Sequence, residues 1–186
     1  MTLNDKMTIF LLGPMGSGKS WLGIRLAERL NVAFIDLDRQ IELGEAATIT
    51  EIFERSGEAG FRELEYVYLR RLDGISAAVV ATGGGTPCFF DNMEWMNARG
   101  ITIYLETPPD ILLSRLLPAR DTRPLLQGLS GQDLEAWLKK MLQQREPFYR
   151  KAQITLLQSG ETDFLSLLEE KIRENGWNLW ETKGAN

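Results

Sequence analysis

The sequence contains no histidine and a single cysteine, and each shortage removes whole classes of chemistry. Without imidazole there is no Ser-His-Asp or Cys-His nucleophile, and the usual zinc sites lose their commonest ligand. One thiol, Cys88, cannot close an internal disulfide; its place after a turn reads as a small packed residue rather than a reactive thiol. Positive charge is also short. With 21 Lys and Arg against 26 Asp and Glu, the net charge is −5, which leaves no excess of cations for sequence-independent nucleic-acid binding. No apolar stretch is long enough to span a bilayer and no charged-then-apolar leader stands at the start, so a soluble, cytoplasmic protein is expected. Phosphoryl transfer survives every one of these exclusions, because it runs on Lys, Arg, a carboxylate and Mg²⁺.

What the sequence does have is glycine in the right places. The stretch GPMGSGKS, Gly13 to Ser20, follows the apolar run Met7 to Leu12 and opens the amphipathic segment Trp21 to Leu30. Gly13, four residues, then Gly18-Lys19-Ser20 is the spacing of a phosphate-binding P-loop. Its glycines, Gly13, Gly16 and Gly18, with Ser17 between them, let backbone N–H groups converge on an anion, and the positive end of the following helix adds to them. Lys19 supplies a point charge for the β and γ phosphates, and the Ser20 hydroxyl is a hard ligand suited to Mg²⁺.

With 186 residues, 44% of them hydrophobic, the chain suits one domain with a full core and no staples. Short apolar runs alternate with helical patterns. Thr8 to Leu12, Ala33 to Ile35, Ala78 to Ala81, Ile101 to Leu105 and Ile154 to Leu157 read as strands, mostly continuous rather than alternating, as in a parallel sheet covered on both faces. Helices are expected over Trp21 to Leu30, Thr50 to Arg55, Glu58 to Leu72, Asn92 to Arg99, Asp110 to Leu117, from the Ser130–Asp133 cap to Gln144 or Arg145, and over Thr162 to Asn175. A break near Gly57 separates the second and third, Gly100 stops the fourth, and Gly176 closes the last. The pattern predicts an α/β fold of three layers, a central five-stranded parallel sheet flanked by helices, in one domain over residues 1–176 with a tail over 177–186.

Sheets of this type bind ligands beyond the carboxyl ends of their strands. The P-loop follows the first strand there. Asp36-Leu37-Asp38 follows the second; if the chain stays extended, both acids lie on one side of it, and the alternative is that they cap the next helix. Thr82-Gly83-Gly84-Gly85 follows the third, with side-chain bulk denied over three consecutive residues.

These motifs, with FIDLD at Phe34 to Asp38, GFRELE at Gly60 to Glu65, ATGGG at Ala81 to Gly85, ITIYLET at Ile101 to Thr107, RPLL at Arg123 to Leu126 and REPFY at Arg145 to Tyr149, resemble the shikimate kinase family in order and spacing from about Met7 to the last helix. The resemblance implies a P-loop kinase fold and transfer of the γ-phosphoryl group of ATP to the 3-hydroxyl of shikimate. It implies roles as well. Gly13, Gly16, Ser17, Gly18, Lys19, Ser20 and Trp21 would hold ATP, Ser20 and, through water, Asp36 would hold Mg²⁺, and Asp38 would contact the shikimate hydroxyls as the base. Arg62 and Arg145 would grip the shikimate carboxylate, with Gly83, Gly84 and Gly85 lining the acceptor pocket across about residues 36–62 and beyond. Arg123, in a lid over about 116–128, would meet the charge on the transferring group, and Arg115 would stack on adenine. No nucleic acid, membrane or protein partner is implied, and a monomer is expected.

Read without the resemblance, Arg62 in the run Arg62-Glu63-Leu64-Glu65 is a solvated helix face, and Arg145 is as well explained by a helix carboxyl end. A small carboxylic acid with several hydroxyls does call for two guanidinium groups at one end and an acceptor at the other. Two positions depart from the family pattern. Trp21 stands where a small hydroxyl residue is common, and the spacing from Arg115 to Arg123 is one residue longer than the family's, which makes Arg120 a rival for adenine. A kinase for another small hydroxylated metabolite, gluconate for example, keeps the P-loop but changes the acceptor residues. A nucleotide-binding switch is the alternative from another class, and the Asn-Lys-X-Asp string that reads guanine is absent.

Overall fold

The computed structural model describes residues 8–75, 77–118, 124–126, 128–158 and 163–177. Five parallel strands, β1 (Thr8–Leu12), β2 (Ala33–Asp36), β3 (Ala78–Ala81), β4 (Gly100–Glu106) and β5 (Ile154–Leu157), form one sheet in the order β2-β3-β1-β4-β5. The apolar runs are continuous because both faces of the central strands are covered. Ile9, Leu11, Val79, Ile103 and Leu105 face α1 (Lys19–Leu30) and α7 (Phe164–Glu174). Phe10, Leu12 and Val80 face the opposite layer of α2 (Leu37–Glu45), α3 (Ile49–Arg70) and α4 (Asn92–Arg99). A third apolar cluster joins α5 (Pro109–Leu116) and α6 (Gly131–Tyr149) through Leu112, Leu116, Leu134 and Leu138, beside the P-loop. The three expected layers are there.

The differences from the expected elements have local causes. The helix expected from Thr50 begins at Ile49, because Thr48 and Glu51 form a reciprocal capping box that the T-I-T-E spacing encodes. The two helices expected on either side of Gly57 are continuous but kinked, with Gly57 at φ 66° and ψ −174°. Gly100 does follow α4, yet at φ −171° it is extended backbone. Its absent side chain serves the sheet instead, since a Cβ would lie 1.9 Å from the Thr8 carbonyl oxygen. α6 runs on past Arg145 to Tyr149 with Pro147 inside it, so Arg145 is not at a helix carboxyl end. Arg120, Arg123 and residues 178–186 lie outside the described residues, as do residues 119–123 and 127 of the expected lid. Among the described residues, no helix is long and apolar enough to cross a membrane.

The kink allows one helix to contribute two walls to the same cavity, Ile49, Thr50 and Phe53 before it, Phe61, Arg62 and Glu65 after it. Nothing stands within 4 Å of where a Gly57 side chain would begin, so the requirement is purely conformational. Gly57→Ala is therefore expected to destabilise the protein by about 1–3 kcal/mol, because that φ/ψ combination is nearly closed to any residue with a Cβ. Urea unfolding of the variant measures it, and an unchanged midpoint would contradict the strain argument.

Candidate active site

Three adjoining cavities run along the carboxyl edge of the sheet. The middle one, about 540 Å³, is walled by Gly16, Gly18, Lys19, Ser20, Asp36 and Asp38 among others. Lys19 Nζ donates to the carbonyl oxygens of Gly13 at 2.8 Å and Pro14 at 2.9 Å, so the loop wraps its own cation. Ser20 Oγ donates to Asp36 Oδ2 at 2.7 Å. Asp36 also caps α2, accepting from the Arg39 N–H. The paired acids are thus not on one extended segment: Asp36 ends β2 and Asp38 lies in the first turn of α2, the capping alternative having been realised by Asp36. Both side chains nevertheless reach the same cavity.

On the α3 side lies a cavity of about 520 Å³ whose walls include Asp38, Arg62, Glu65, Gly83, Gly85 and Arg145. Here the solvated-face reading of Arg62 fails. Its side chain is only 5% exposed and pairs with Glu65 at 2.6 Å and Glu58 at 2.6 Å, while its Nε is buried with no hydrogen-bond partner. Its guanidinium carbon also stands 4.6 Å from the centre of the Phe89 ring. Burial works against the charged guanidinium, but Glu65 and Glu58 more than offset it and hold its pKa above the ordinary value.

The three glycines are explained by what crowds them. A Cβ on Gly83 would lie 2.3 Å from Glu65 Oε1 and 2.8 Å from Asp38 Oδ1, and one on Gly85 would lie 2.3 Å from Arg62 Nη1. Gly84 faces the P-loop and Arg145, with a Cβ position 3.2 Å from the Met15 nitrogen and 3.6 Å from Arg145 Nη1. Its carbonyl oxygen accepts from the buried Tyr149 hydroxyl.

Asp38 stands in the walls of both cavities. Its Oδ1 is buried without a hydrogen bond. Burial first, then the charges of Glu65 and Asp36, push its pKa up to about 7, against the opposing pull of Lys19 and Arg62. In a protein without histidine, this carboxyl titrates where imidazole ordinarily would.

The third cavity, about 400 Å³, continues from the P-loop on the opposite side, between Trp21, Arg115, Gln158 and Phe164. Trp21 is half exposed, with the Arg25 guanidinium carbon 3.9 Å from its ring centre. Arg115 Nη1 donates to the Gly16 carbonyl at 2.9 Å and to Gln158 Oε1 at 3.2 Å. Every expected site residue within the described part borders one of the three cavities or belongs to the P-loop. Sequence reasoning missed Glu65, Gln158 and the Tyr149 hydroxyl. Gln158 could have been found by the rule that found the others, since it directly follows β5. Glu65 could not be separated from a surface acid by its neighbours alone.

A five-stranded parallel sheet with a P-loop between β1 and α1, and cavities on both sides of that loop, defines a P-loop kinase fold. A family model described as shikimate kinase matches residues 15–174. Shikimate kinase from Bacteroides thetaiotaomicron is 48% identical over 78% of this chain and 83% of its own length, and that from Azobacteroides pseudotrichonymphae is 43% identical over 88% and 98%. A solved structure of shikimate kinase from Acinetobacter baumannii in complex with shikimate superposes with a TM-score of 0.80, at 38% identity, over 91% of this chain and 92% of that one. The chain belongs to the shikimate kinase family.

The raised Asp38 pKa has a thermodynamic consequence. The native state binds the Asp38 proton more tightly than the unfolded chain, so its contribution to stability is full below about pH 4 and is lost as pH rises through about 7. Asp38→Asn cannot ionise. It is expected to raise stability at pH 8 by more than about 1 kcal/mol and to leave it nearly unchanged at pH 4, which unfolding curves at the two pH values compare.

Proposed function

We infer that the protein transfers the γ-phosphoryl group of ATP to the 3-hydroxyl of shikimate, giving ADP and shikimate 3-phosphate on the route to chorismate and the aromatic amino acids. One observation carries this reading: Asp38 lies in the wall common to the P-loop cavity and to a second cavity that bears Arg62 and Arg145. A carboxylate placed between a phosphate cradle and a pocket that bears two guanidinium groups suits proton abstraction from a hydroxyl on a small acid. On this reading Lys19 would exchange the carbonyls of Gly13 and Pro14 for phosphate oxygens. Arg62 and Arg145 orient the substrate carboxylate, Arg62 through its unpartnered Nε–H. Arg123 is the expected lid cation that meets the transferring group.

Ser20 and Asp36 present adjacent hard oxygens at the start of α1, a donor set that fits Mg²⁺. When bound, that ion neutralises charge on the β and γ phosphates. A cytoplasmic enzyme fits an ATP donor.

A coupled ADP-release assay over shikimate, its methyl ester, gluconate and other hydroxylated acids tests the reading. The ester keeps every ring hydroxyl and loses the charge. Leaving the guanidinium groups without their anion costs about 1.5–3 kcal/mol per charged hydrogen bond, so discrimination of about 10²-fold or more in kcat/KM is expected. Equal use of acid and ester would remove the clamp and favour another small-metabolite kinase. The substrate is the better place to delete the charge, because Arg62→Ala would also strand buried Glu65.

Lys19→Ala and Asp38→Asn are expected to fail differently. The first depresses every phosphoryl transfer, slow ATP hydrolysis included. The second spares ATP binding and lowers turnover by about 10²-fold or more. In the wild type, kcat/KM for shikimate should fall as pH drops below about 7, where Asp38 takes up its proton.

A further inference from the structure

Gln158 is the first residue beyond β5, and its backbone N–H donates to the Glu106 carbonyl at 2.8 Å, which extends the β4–β5 pairing by one bond. Its side chain is buried. The amide nitrogen Nε2 donates to the carbonyl oxygen of Ser17 in the P-loop, and Oε1 accepts from Arg115 Nη1 at 3.2 Å. The same Arg115 nitrogen donates to the Gly16 carbonyl at 2.9 Å. Two consecutive carbonyls of the phosphate loop are thereby held from behind by one linked pair of side chains.

The residue type is dictated by its partners. A guanidinium has donors only and a peptide carbonyl accepts only, so whatever stands between them must accept at one end and donate at the other. Glu lacks the donor, Lys and Arg lack the acceptor, and Leu lacks both. Asn has the chemistry but is one methylene shorter. The amide orientation is fixed by the same logic.

Peptide units are planar, and among the described residues all are trans. Holding the Ser17 carbonyl on the Gln158 side therefore turns the N–H of Gly18 the opposite way, out of the Gln158 side of the loop. Gly18 borders the phosphate cavity. We propose that Gln158 is a positioning residue of the nucleotide site, which sets the Ser17–Gly18 peptide in its phosphate-binding orientation and pins Arg115 against the P-loop. The proposal rests on the reading of this loop as the ATP site. It concerns the nucleotide alone: Gln158 is not part of the acceptor cavity wall.

The test is titration calorimetry with ADP and Mg²⁺ on the wild type, Gln158→Leu and Gln158→Glu, together with KM values for ATP and shikimate. Leu matches Gln in volume but makes neither bond, and Glu keeps the acceptor for Arg115 while setting a carboxylate against the Ser17 carbonyl. Both are expected to weaken ADP binding and raise the KM for ATP by about tenfold or more, with the KM for shikimate held within about twofold. In an Arg115→Ala background the Leu substitution should cost less than in the wild type, because the two residues share one network. Wild-type ADP affinity in Gln158→Leu would overturn the proposal, as would a parallel loss for both substrates, which marks a general folding defect. If the wild type binds ADP but does not phosphorylate shikimate, the functional reading fails while the ADP affinities still judge Gln158.

Discussion

The acceptor side of this protein depends on burying Arg62 together with Glu65. A guanidinium removed from water needs its anions at once, and Glu65 and Glu58, each at 2.6 Å, provide them. Bringing those groups against the loop after β3 leaves no room for a Cβ at Gly83 or Gly85. The triple glycine is thus a packing requirement of the charge cluster before it is anything else. Within the cluster Glu65 repels the Asp38 carboxylate and Arg62 attracts it, while burial against these walls is the larger cause that lifts Asp38 to about 7.

The P-loop shows a related economy. Its cation is satisfied by the loop's own carbonyls, and two further carbonyls are taken by Arg115 and Gln158. Backbone oxygens that would oppose a phosphate are thereby turned to cations and amides, which leaves N–H groups for an anion. Side chains from α5 and from the residue after β5 are needed for this, so a loop usually described as a local motif is completed by residues roughly a hundred or more positions away in the chain.

The sheet was legible in the sequence because burial on both faces leaves a plain mark, uninterrupted apolar runs that end in glycine or acid. All five strands lie where those runs are, and no strand boundary moved by more than one residue. The P-loop was legible for the same reason, as a fixed spacing in a fixed context. Arg62 was not, since Arg-Glu-Leu-Glu has the composition of any exposed helix turn and only tertiary packing buries it. The family resemblance placed it in the site where periodicity argued for solvent. Asp36 and Asp38 were found, but their geometry was misjudged: the helix begins immediately after β2, so the alternation of an extended chain does not apply. The Tyr149 hydroxyl acts on a backbone carbonyl, and a side chain serving another segment's backbone leaves no local pattern; Gln158 does the same, and only its place directly after β5 marks it.

The strand order β2-β3-β1-β4-β5 also divides labour in space. The walls of the α3-side cavity come mostly from the segments after β2 and β3, with Arg145 added from α6 beyond β4, the P-loop follows β1 in the centre, and Arg115 and Gln158 follow β4 and β5 at the other side. On the proposed reading, a change of acceptor would rebuild the kinked α3 and the loop after β3, yet it would also have to keep or replace Arg145, which α6 supplies from between Arg115 and Gln158 in the chain. Selection on what is phosphorylated therefore reaches into the same stretch of the gene that completes the P-loop.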